Sequence, residues 1–441
     1  MTVVQLHGKS SGRNTASDRR NIFAALDIGS SKISCLIAET VPAKHKMPGG
    51  TERMSLRVLG LGHQLSRGVR AGAIVNVDDA ERAIRLSVDA AERMAQRTIS
   101  EVYVNVSGGR PQSTCFTGYC PILGSAVSPR DVDSVIASAV SQIAPARRTV
   151  LHLAPIQYQL DDAKGIAAPL GMHGESLSVD LGVVTAESAH LRNLALAVER
   201  AHLSISGYVI APYAAGKAVL AEDEMALGIT LIEMGGATTS ISIFHEGRLV
   251  FADSIPVGGM HVTNDLARGL STTVAHAERM KTLWGSALST SADDREMLSV
   301  PLLGERGVDT VQKVPRTMLT NIIRPRIDEI FEMVRDRLGQ CAMAHLGGQR
   351  VVLSGGASQL AGVREVASLW LGKQVRLGTP TPVSGLPDAG RNPGFSVALG
   401  LLAYGLKPDP HCTMPARAAE SLAQAQQGYV KRVGRWIADS F

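Results

Sequence analysis

Apolar and polar positions along the chain fall into two rhythms. Short apolar runs closed by glycine turns alternate with longer stretches in which apolar residues recur every three or four positions. The first rhythm predicts strands, the second amphipathic helices. "NIFAALDIGSSKISCLIAE" reads as strand, tight turn and strand, and "LRVLGLGHQL" as another strand. In "VNVDDAERAIRLSVDAAERMAQR", Ala80, Ile84 and Val88 share one face and Asp78 and Asp79 lie near the start, which predicts a helix. "EVYVNVSG" is a strand. "SPRDVDSVIASAVSQI" predicts a helix with Ser128 as N-cap and Pro129 at its first position. "TVLHLAPIQYQLDD" is a strand, "AAPLGMHG" a loop, and strands and helices alternate again to about Leu220.

A second unit opens with "GITLIEMGGATTSISIFHEGRLVFADSIPVGG", three strands joined by glycine turns. "HVTNDLARGLSTTVAHAERMKTLWGSA" is helical in pattern. So is "PRTMLTNIIRPRIDEIFEMVRDRLGQ", where Pro325 is expected to kink or break the helix. "RVVLSGGASQLAGVREVASLWLG" reads as strand, glycine turn and helix. From Lys407 to about Gln427 a stretch rich in Pro, Ala and Gln lacks apolar periodicity and reads as a linker. The chain then closes on "GYVKRVGRWIADSF". Val430, Val433, Ile437 and Phe441 form one helical stripe, flanked by Tyr429 and Trp436, with Lys431, Arg432, Arg435 and Asp439 mostly opposite. Such a helix can dock on its own core, on a partner, or on a membrane.

Bulk properties narrow the class. The 441 residues allow two to four domain-sized units. Aromatics make up only 4%, so aliphatic residues build the core, and a net charge of +5 favours neither nucleic acid nor membrane by itself. The five cysteines have no CxxC pair, which predicts a reducing compartment and no structural zinc. Residues 1–20 are polar and basic and read as a disordered tail rather than a signal peptide. No stretch approaches the roughly 20 apolar residues of a membrane span, so a cytoplasmic protein with peripheral membrane contact is expected.

The chemistry sits in three turns. Asp27 closes the strand of "ALDIGSSKISCLIA" and Glu233 that of "LIEMGGATTSISIF", and the two acids lie 206 residues apart. Each stretch is strand, acid, glycine turn with small hydroxyl residues, and strand. This weak internal repeat predicts a duplicated fold with a cleft between its halves. Glycine turns let backbone N–H groups approach phosphate oxygens, which assigns Gly29, Ser30, Ser31 and Lys32 from one half, and Gly235, Gly236, Ala237 and Thr238 from the other, to the phosphates of a nucleotide. Asp27 and Glu233 can hold Mg2+ directly or through its waters. The third turn, Gly355, Gly356 and Ser358 in "VVLSGGASQL", can pack against a flat base, and Glu278 and Lys281 in "AERMK" share a helix face suited to a ribose and adenine edge.

That order of turns resembles the actin, Hsp70 and sugar-kinase superfamily. Within it, "EVYVNVSG", "LHLAPIQYQLDDAKGIAAPLG", "LGITLIEMGGATTSISIF", "AERMKTLWGSA", "VVLSGGASQLAGV" and "VKRVGRWI" resemble the FtsA family of bacterial cell-division actin homologues. The resemblance implies an α/β, duplicated actin-like (RNase H-like) two-lobed ATPase fold with an inserted subdomain 1C in place of actin 1B. The implied division is subdomain 1A in 21–98 and 172–227, 1C in 99–171, 2A in 228–258 and 336–406, 2B in 259–335, linker in 407–427 and a membrane-targeting amphipathic helix in 428–441. It implies ATP and Mg2+ as cofactors, actin-like filaments of the chain itself, and further division proteins bound through 1C. It implies binding of the C-terminal peptide of the tubulin homologue FtsZ through 2B, where Arg316 and Arg324 could pair with carboxylates. It also implies a place on the cytoplasmic face of the cell membrane at the division site, with Tyr429, Val430, Lys431, Arg432, Val433, Arg435, Trp436, Ile437 and Phe441 touching an anionic surface. No nucleic-acid partner is expected.

Two departures bear on hydrolysis. Glu233 stands where the family's second phosphate turn usually has aspartate. "VIAPYAAGKAVL" has Ala211 before Pro212 and no acid to activate water, and Glu222, Asp223 and Glu224 lie beyond it. Slow or undetectable turnover is expected. The alternatives are a pilus-assembly-type actin homologue, which shares the inserted subdomain but not the closing helix, and a kinase of the same superfamily, which needs a general base that the sequence does not offer.

Overall fold

The computed structural model describes residues 22–42, 54–143, 147–304 and 311–407. The linker and closing-helix assignments, Tyr429 to Phe441 included, lie outside the described residues, as does the basic tail.

The first lobe opens with the hairpin β1 (Ile22–Ile28) and β2 (Lys32–Pro42), followed by β3 (Met54–Leu65). A small hairpin, β4 (Val69–Arg70) and β5 (Ala73–Ile74), leads into α1 (Val77–Ala95). Asn76 caps α1 by accepting from the Asp79 N–H, and Asp78 and Asp79 fill its positive first turn. β6 (Glu101–Val106) follows. The chain then leaves for an inserted unit made of β7 (Gln112–Pro121), α2 (Pro129–Val140), β8 (Arg148–Leu160), β9 (Ala163–Ile166) and β10 (Ser176–Glu187). Ser128 and Asp131 form a capping box on α2, with Pro129 in its first turn as expected. α3 (Ser188–Arg200) and β11 (Ser204–Ile210) complete the lobe. α4 (Ala211–Val219) and α5 (Glu222–Leu227) cross to the second lobe.

The second lobe repeats the plan. β12 (Ile229–Met234), β13 (Thr239–His245) and β14 (Arg248–Ile255) form the antiparallel run. After them come α6 (Gly259–Gly269), α7 (Val274–Trp284), the hairpin β15 (Met297–Pro301) and β16 (Val311–Pro315), and α8 (Arg316–Gly339). β17 (Arg350–Ser354), α9 (Val363–Leu371) and β18 (Gln374–Leu377) close the lobe, and α10 (Ser396–Leu406) returns to the first.

The first sheet has the order β11-β6-β1-β2-β3, and the second begins with β18-β17-β12-β13-β14. In both, three consecutive antiparallel strands are followed outward by two parallel ones. The duplication suggested by two short motifs is therefore a duplication of whole sheets. β12 is buried at every residue, as a central strand covered on both faces must be. Three apolar clusters fill the structure: one centred on the first lobe that continues onto the second-lobe strands at Ile229, Leu231, Phe244 and Val352, one within the second lobe, and one within the inserted unit.

Two expectations change. The insert does not run from Ile99 to Gly171. β6 pairs with β1 and β11 in the first lobe, whereas β10, beyond Gly171, pairs with β7 and β8 of the insert. Apolar alternation identifies a strand but not the sheet it joins. The stretch from His261 to Ala287 is helical as expected, in two helices, because Thr273 starts a new one by accepting from the His276 N–H. Pro325 neither breaks nor ends α8, which continues through it. Pro325 and Asn321 are both exposed, so the carbonyl that loses its partner faces water.

α4 and α10 cross at Gly400, where any Cβ would lie 1.6 Å from the Ala214 carbonyl oxygen. Gly400→Ala is expected to lower stability by about 1–3 kcal/mol, or to splay the helices. Urea unfolding measures it; an unchanged midpoint would mean that the helices do not meet there.

Candidate functional site

The two acid-bearing turns are built alike. The Gly29 N–H donates to the Lys32 carbonyl at 3.1 Å, and the Gly235 N–H donates to the Thr238 carbonyl at 2.8 Å. The turns face each other across the cleft: a Cβ on Gly236 would meet the Ser31 side chain at 2.9 Å. Asn105 holds the first turn from below, its amide oxygen accepting from the Ile28 N–H at 2.7 Å. The N-terminus of α6 holds the second, with Gly259 N–H to the Gly235 carbonyl at 3.0 Å and Met260 N–H to the Gly236 carbonyl at 2.6 Å. Sequence reasoning missed both supports. A buried Asn inside "VYVNV" and the Gly258–Gly259 pair after β14 were the available signals.

The phosphate candidates divide. Ser31 is exposed on the rim of its turn. Ser30 is committed elsewhere, its hydroxyl accepting from the Gly72 N–H at 2.8 Å. Lys32 reaches across to Phe395, with Nζ 3.2 Å from the ring centroid. Ala237 and Thr238 are buried at the base of the second turn.

Asp27 and Glu233 are both buried, at 7% exposure each. Burial pushes the Asp27 carboxyl up to about 6, with the Lys32 ammonium opposing. Burial, and then the negative charge of Asp27, push Glu233 up to about 8. Burial lowers Lys32 to about 8, with Asp27 opposing. Two close, poorly solvated carboxylates with one weakened ammonium form a donor set short of positive charge. That chemistry fits a divalent cation.

In the third turn Gly355 has φ +84°, and its Cβ position lies 2.7 Å from Glu233 Oε1, so glycine is required twice over. A Cβ on Gly356 would meet nothing within 4 Å, which leaves open space beside the turn. Ser358 does not face that space. It is buried, and its hydroxyl closes its own turn on the Gly355 carbonyl at 2.7 Å. Glu278 and Lys281 are brought to the same side. Lys281 Nζ donates to Glu278 at 2.7 Å, to Thr263 Oγ1 at 2.8 Å and to the Gly259 carbonyl at 3.1 Å. Thr263 Oγ1 also donates to Glu278. Lys281 is thus an anchor tying α7 to α6, and the half-exposed Glu278, which accepts both bonds at Oε2, has Oε1 left to meet a sugar hydroxyl.

Arg316 and Arg324 do not join this site. Arg316 donates to Glu296 at 2.9 Å and to the Trp284 carbonyl at 3.0 Å, and Arg324 grips Asp328 through Nε at 2.8 Å. Both guanidinium groups already have carboxylate partners in the second lobe. α4 carries no acid in its first turn, and Glu224, on α5, is bound to Arg376 at 2.5 and 2.8 Å.

The linkage of the buried acids sets a pH dependence. Glu233 ionises near 4.5 when unfolded and near 8 when folded, so the folded state holds an extra proton between those values. Its contribution to stability is complete below the lower value and is lost as pH rises through the upper one. Asp27 adds the same trend from 3.8 to about 6. Lys32 acts oppositely, losing stability as pH falls from 10.5 through about 8. The nucleotide-free chain is expected to melt at progressively lower temperature from about pH 5 to about pH 8, and Glu233→Gln to flatten that slope. Melting curves of both chains across this range decide it; parallel curves would contradict the assignment.

Comparison with known proteins agrees with this geometry. The family model "Cell division protein FtsA" matches residues 230–400, and "SHS2 domain inserted in FTSA" matches 108–185, close to the span of β7 to β10. The chain is 45% identical over 428 residues to the cell division protein FtsA of Agrobacterium fabrum, covering 97% of this chain and 96% of that one. It is 30% identical over 433 residues to FtsA of Escherichia coli K12, covering 97% and 99%. Among solved structures, a PilM–PilN type IV pilus biogenesis complex matches with TM-score 0.60 at 16% identity, covering 88% of this chain and all of that one. MreB5 of Spiroplasma citri bound to ADP matches with TM-score 0.50 at 13% identity, covering 87% and 95%. These two similarities establish the actin-like fold. Identity over nearly the full length establishes more: the chain belongs to the FtsA family of cell-division proteins.

Proposed function

We propose that this chain is an ATP-binding, self-polymerising tether that holds FtsZ filaments to the cytoplasmic membrane at the division site and recruits later division proteins through its inserted unit. The observation that carries the nucleotide part is the facing pair of glycine turns, each behind a buried acid. Gly29 and Ser31 meet the phosphates from one lobe, and Gly235 and Gly236 from the other. Asp27 and Glu233 hold Mg2+, directly or through waters, and the cation offsets their repulsion and the phosphate charge. Glu278 takes the ribose, and the base lies against Gly356. Lys32, held on Phe395, orients the first turn.

Turnover is slow or absent. The first turn of α4 offers no group to position water, and Glu224 is tied to Arg376 away from the cleft. A kinase reading fails on the same ground. Within the second lobe, Arg316 and Arg324 must exchange their present carboxylate partners to bind an FtsZ peptide.

The membrane part rests on sequence. Fourteen residues from Gly428 to Phe441 are too short to span a bilayer, and their apolar stripe with Trp436 suits the headgroup boundary. Lys431, Arg432 and Arg435 each add about 1 kcal/mol near an anionic surface. One such helix binds weakly, and filament formation multiplies it by avidity.

Two experiments test this. At Gly356 a Cβ meets nothing within 4 Å, so Gly356→Ala is expected to leave melting unchanged while affinity for a fluorescent ATP analogue falls more than about tenfold. Unchanged affinity would remove the base from that turn. Sedimentation with anionic vesicles compares the intact chain with one ending at Gln427, with ATP and FtsZ present or absent. The intact chain is expected to pellet and bring FtsZ with it while the shortened chain stays in solution. Equal behaviour of the two would reassign the closing segment to a partner or to packing.

A further inference from the structure

The inserted unit leaves the first lobe between β6 and α3, yet it is stitched to the second lobe. Its edge strand β7 meets β14, with Gln112 and Asp253 as paired residues, so the sheets of insert and second lobe form one nine-stranded sheet. The Ser113 hydroxyl donates to the Ala252 carbonyl at 2.9 Å and accepts from the Ala252 N–H at 2.7 Å. Arg248, on β14, donates to the Pro155 carbonyl at 3.0 Å and to the Ala167 carbonyl at 3.4 Å, both in the insert. Arg337 of α8 pairs with the same Asp253 at 3.2 Å.

The insert also grips the crossing between lobes. His152 of β8 is buried, and its Nε2 accepts from the Ile210 N–H at 3.1 Å, at the start of α4. Its ring lies 5.1 Å from that of Tyr213 on α4. Tyr213 in turn stacks on Phe244 of β13 at 6.0 Å and meets Tyr404 of α10 edge-on at 6.1 Å. One aromatic cluster therefore joins the insert, both crossing helices and the second lobe.

Parting the two acid-bearing turns requires the lobes to rotate about α4 and α10. β14 then moves relative to β7, because His152 keeps the insert on the hinge. The hydrogen bonds at Ser113 and Arg248 cannot stretch and must break. We propose that the inserted unit is a strap across the hinge, which holds the cleft shut through the β7–β14 seam. This rests on the nucleotide reading above and adds to it a control: the closure of that seam sets the rate at which nucleotide leaves.

The test uses the full chain with Gln112→Cys and Asp253→Cys. Paired residues of antiparallel strands sit about 4.5–5.5 Å apart at Cα, within the range a disulfide accepts. Peptide mapping confirms the intended bridge against the neighbouring Cys115. The readout is release of a fluorescent ATP analogue with Mg2+, chased with unlabelled ATP. The oxidised chain is expected to release it about tenfold more slowly than the same chain reduced, and Ser113→Ala with Arg248→Ala to release it about tenfold faster than the unaltered chain. Equal release before and after reduction would overturn the strap. If no chain binds the analogue, the nucleotide reading fails instead. Hydrogen exchange in the turns 29–32 and 235–238 then decides the strap: greater protection on oxidation supports it, and unchanged exchange rejects it.

Discussion

Two carboxylates that repel each other organise this molecule. Asp27 and Glu233 end the central strand of each lobe, are buried, and share one weakened ammonium, Lys32. Burial pushes both acids up, and the charge of Asp27 pushes Glu233 further, to about 8. Brought together, they form a site that is short of positive charge and open to glycine turns on both sides. The sheets, the crossing helices and the caps under each turn are the frame that keeps this unfavourable pair in place.

The fold was largely legible in the residues, because its central parts are repeated. Asp27 with its glycine turn and Glu233 with its own announced two equivalent halves, and whole sheets of the same order bear that out. Local signals also held where the physics was local, as with Ser128 and Pro129 at the start of α2. What failed was non-local. Nothing in "EVYVNVSG" says that β6 joins β1, and nothing in β10 says that it belongs to the insert, because pairing partners lie far away in sequence. Pro325 does not break α8 for a different reason: its effect depends on whether the freed carbonyl faces solvent.

The facing of the two glycine turns follows from the repeat, with Gly236 against Ser31 and Gly355 against Glu233. Ser30 and Ser358 carry the right chemistry, yet their hydroxyls serve the fold. Hydroxyl residues in glycine turns serve either purpose, and only the nearest backbone donor or acceptor distinguishes them. Arg316 and Arg324 show the same limit for charge, since carboxylates distant in the chain or one turn away had already claimed them.

The last described helix has a mechanical meaning. α10 is buried along almost its whole length, against α4 and the strands of the first lobe, and the chain leaves it at Lys407. A pull on the segment beyond Lys407 therefore enters the protein along the axis of α10. Tension applied there loads the helix in shear against α4 at Gly400, so many side-chain contacts resist together rather than peeling one by one. Tyr404 of α10 also meets Tyr213 of α4, so part of that load passes to the crossing between the lobes.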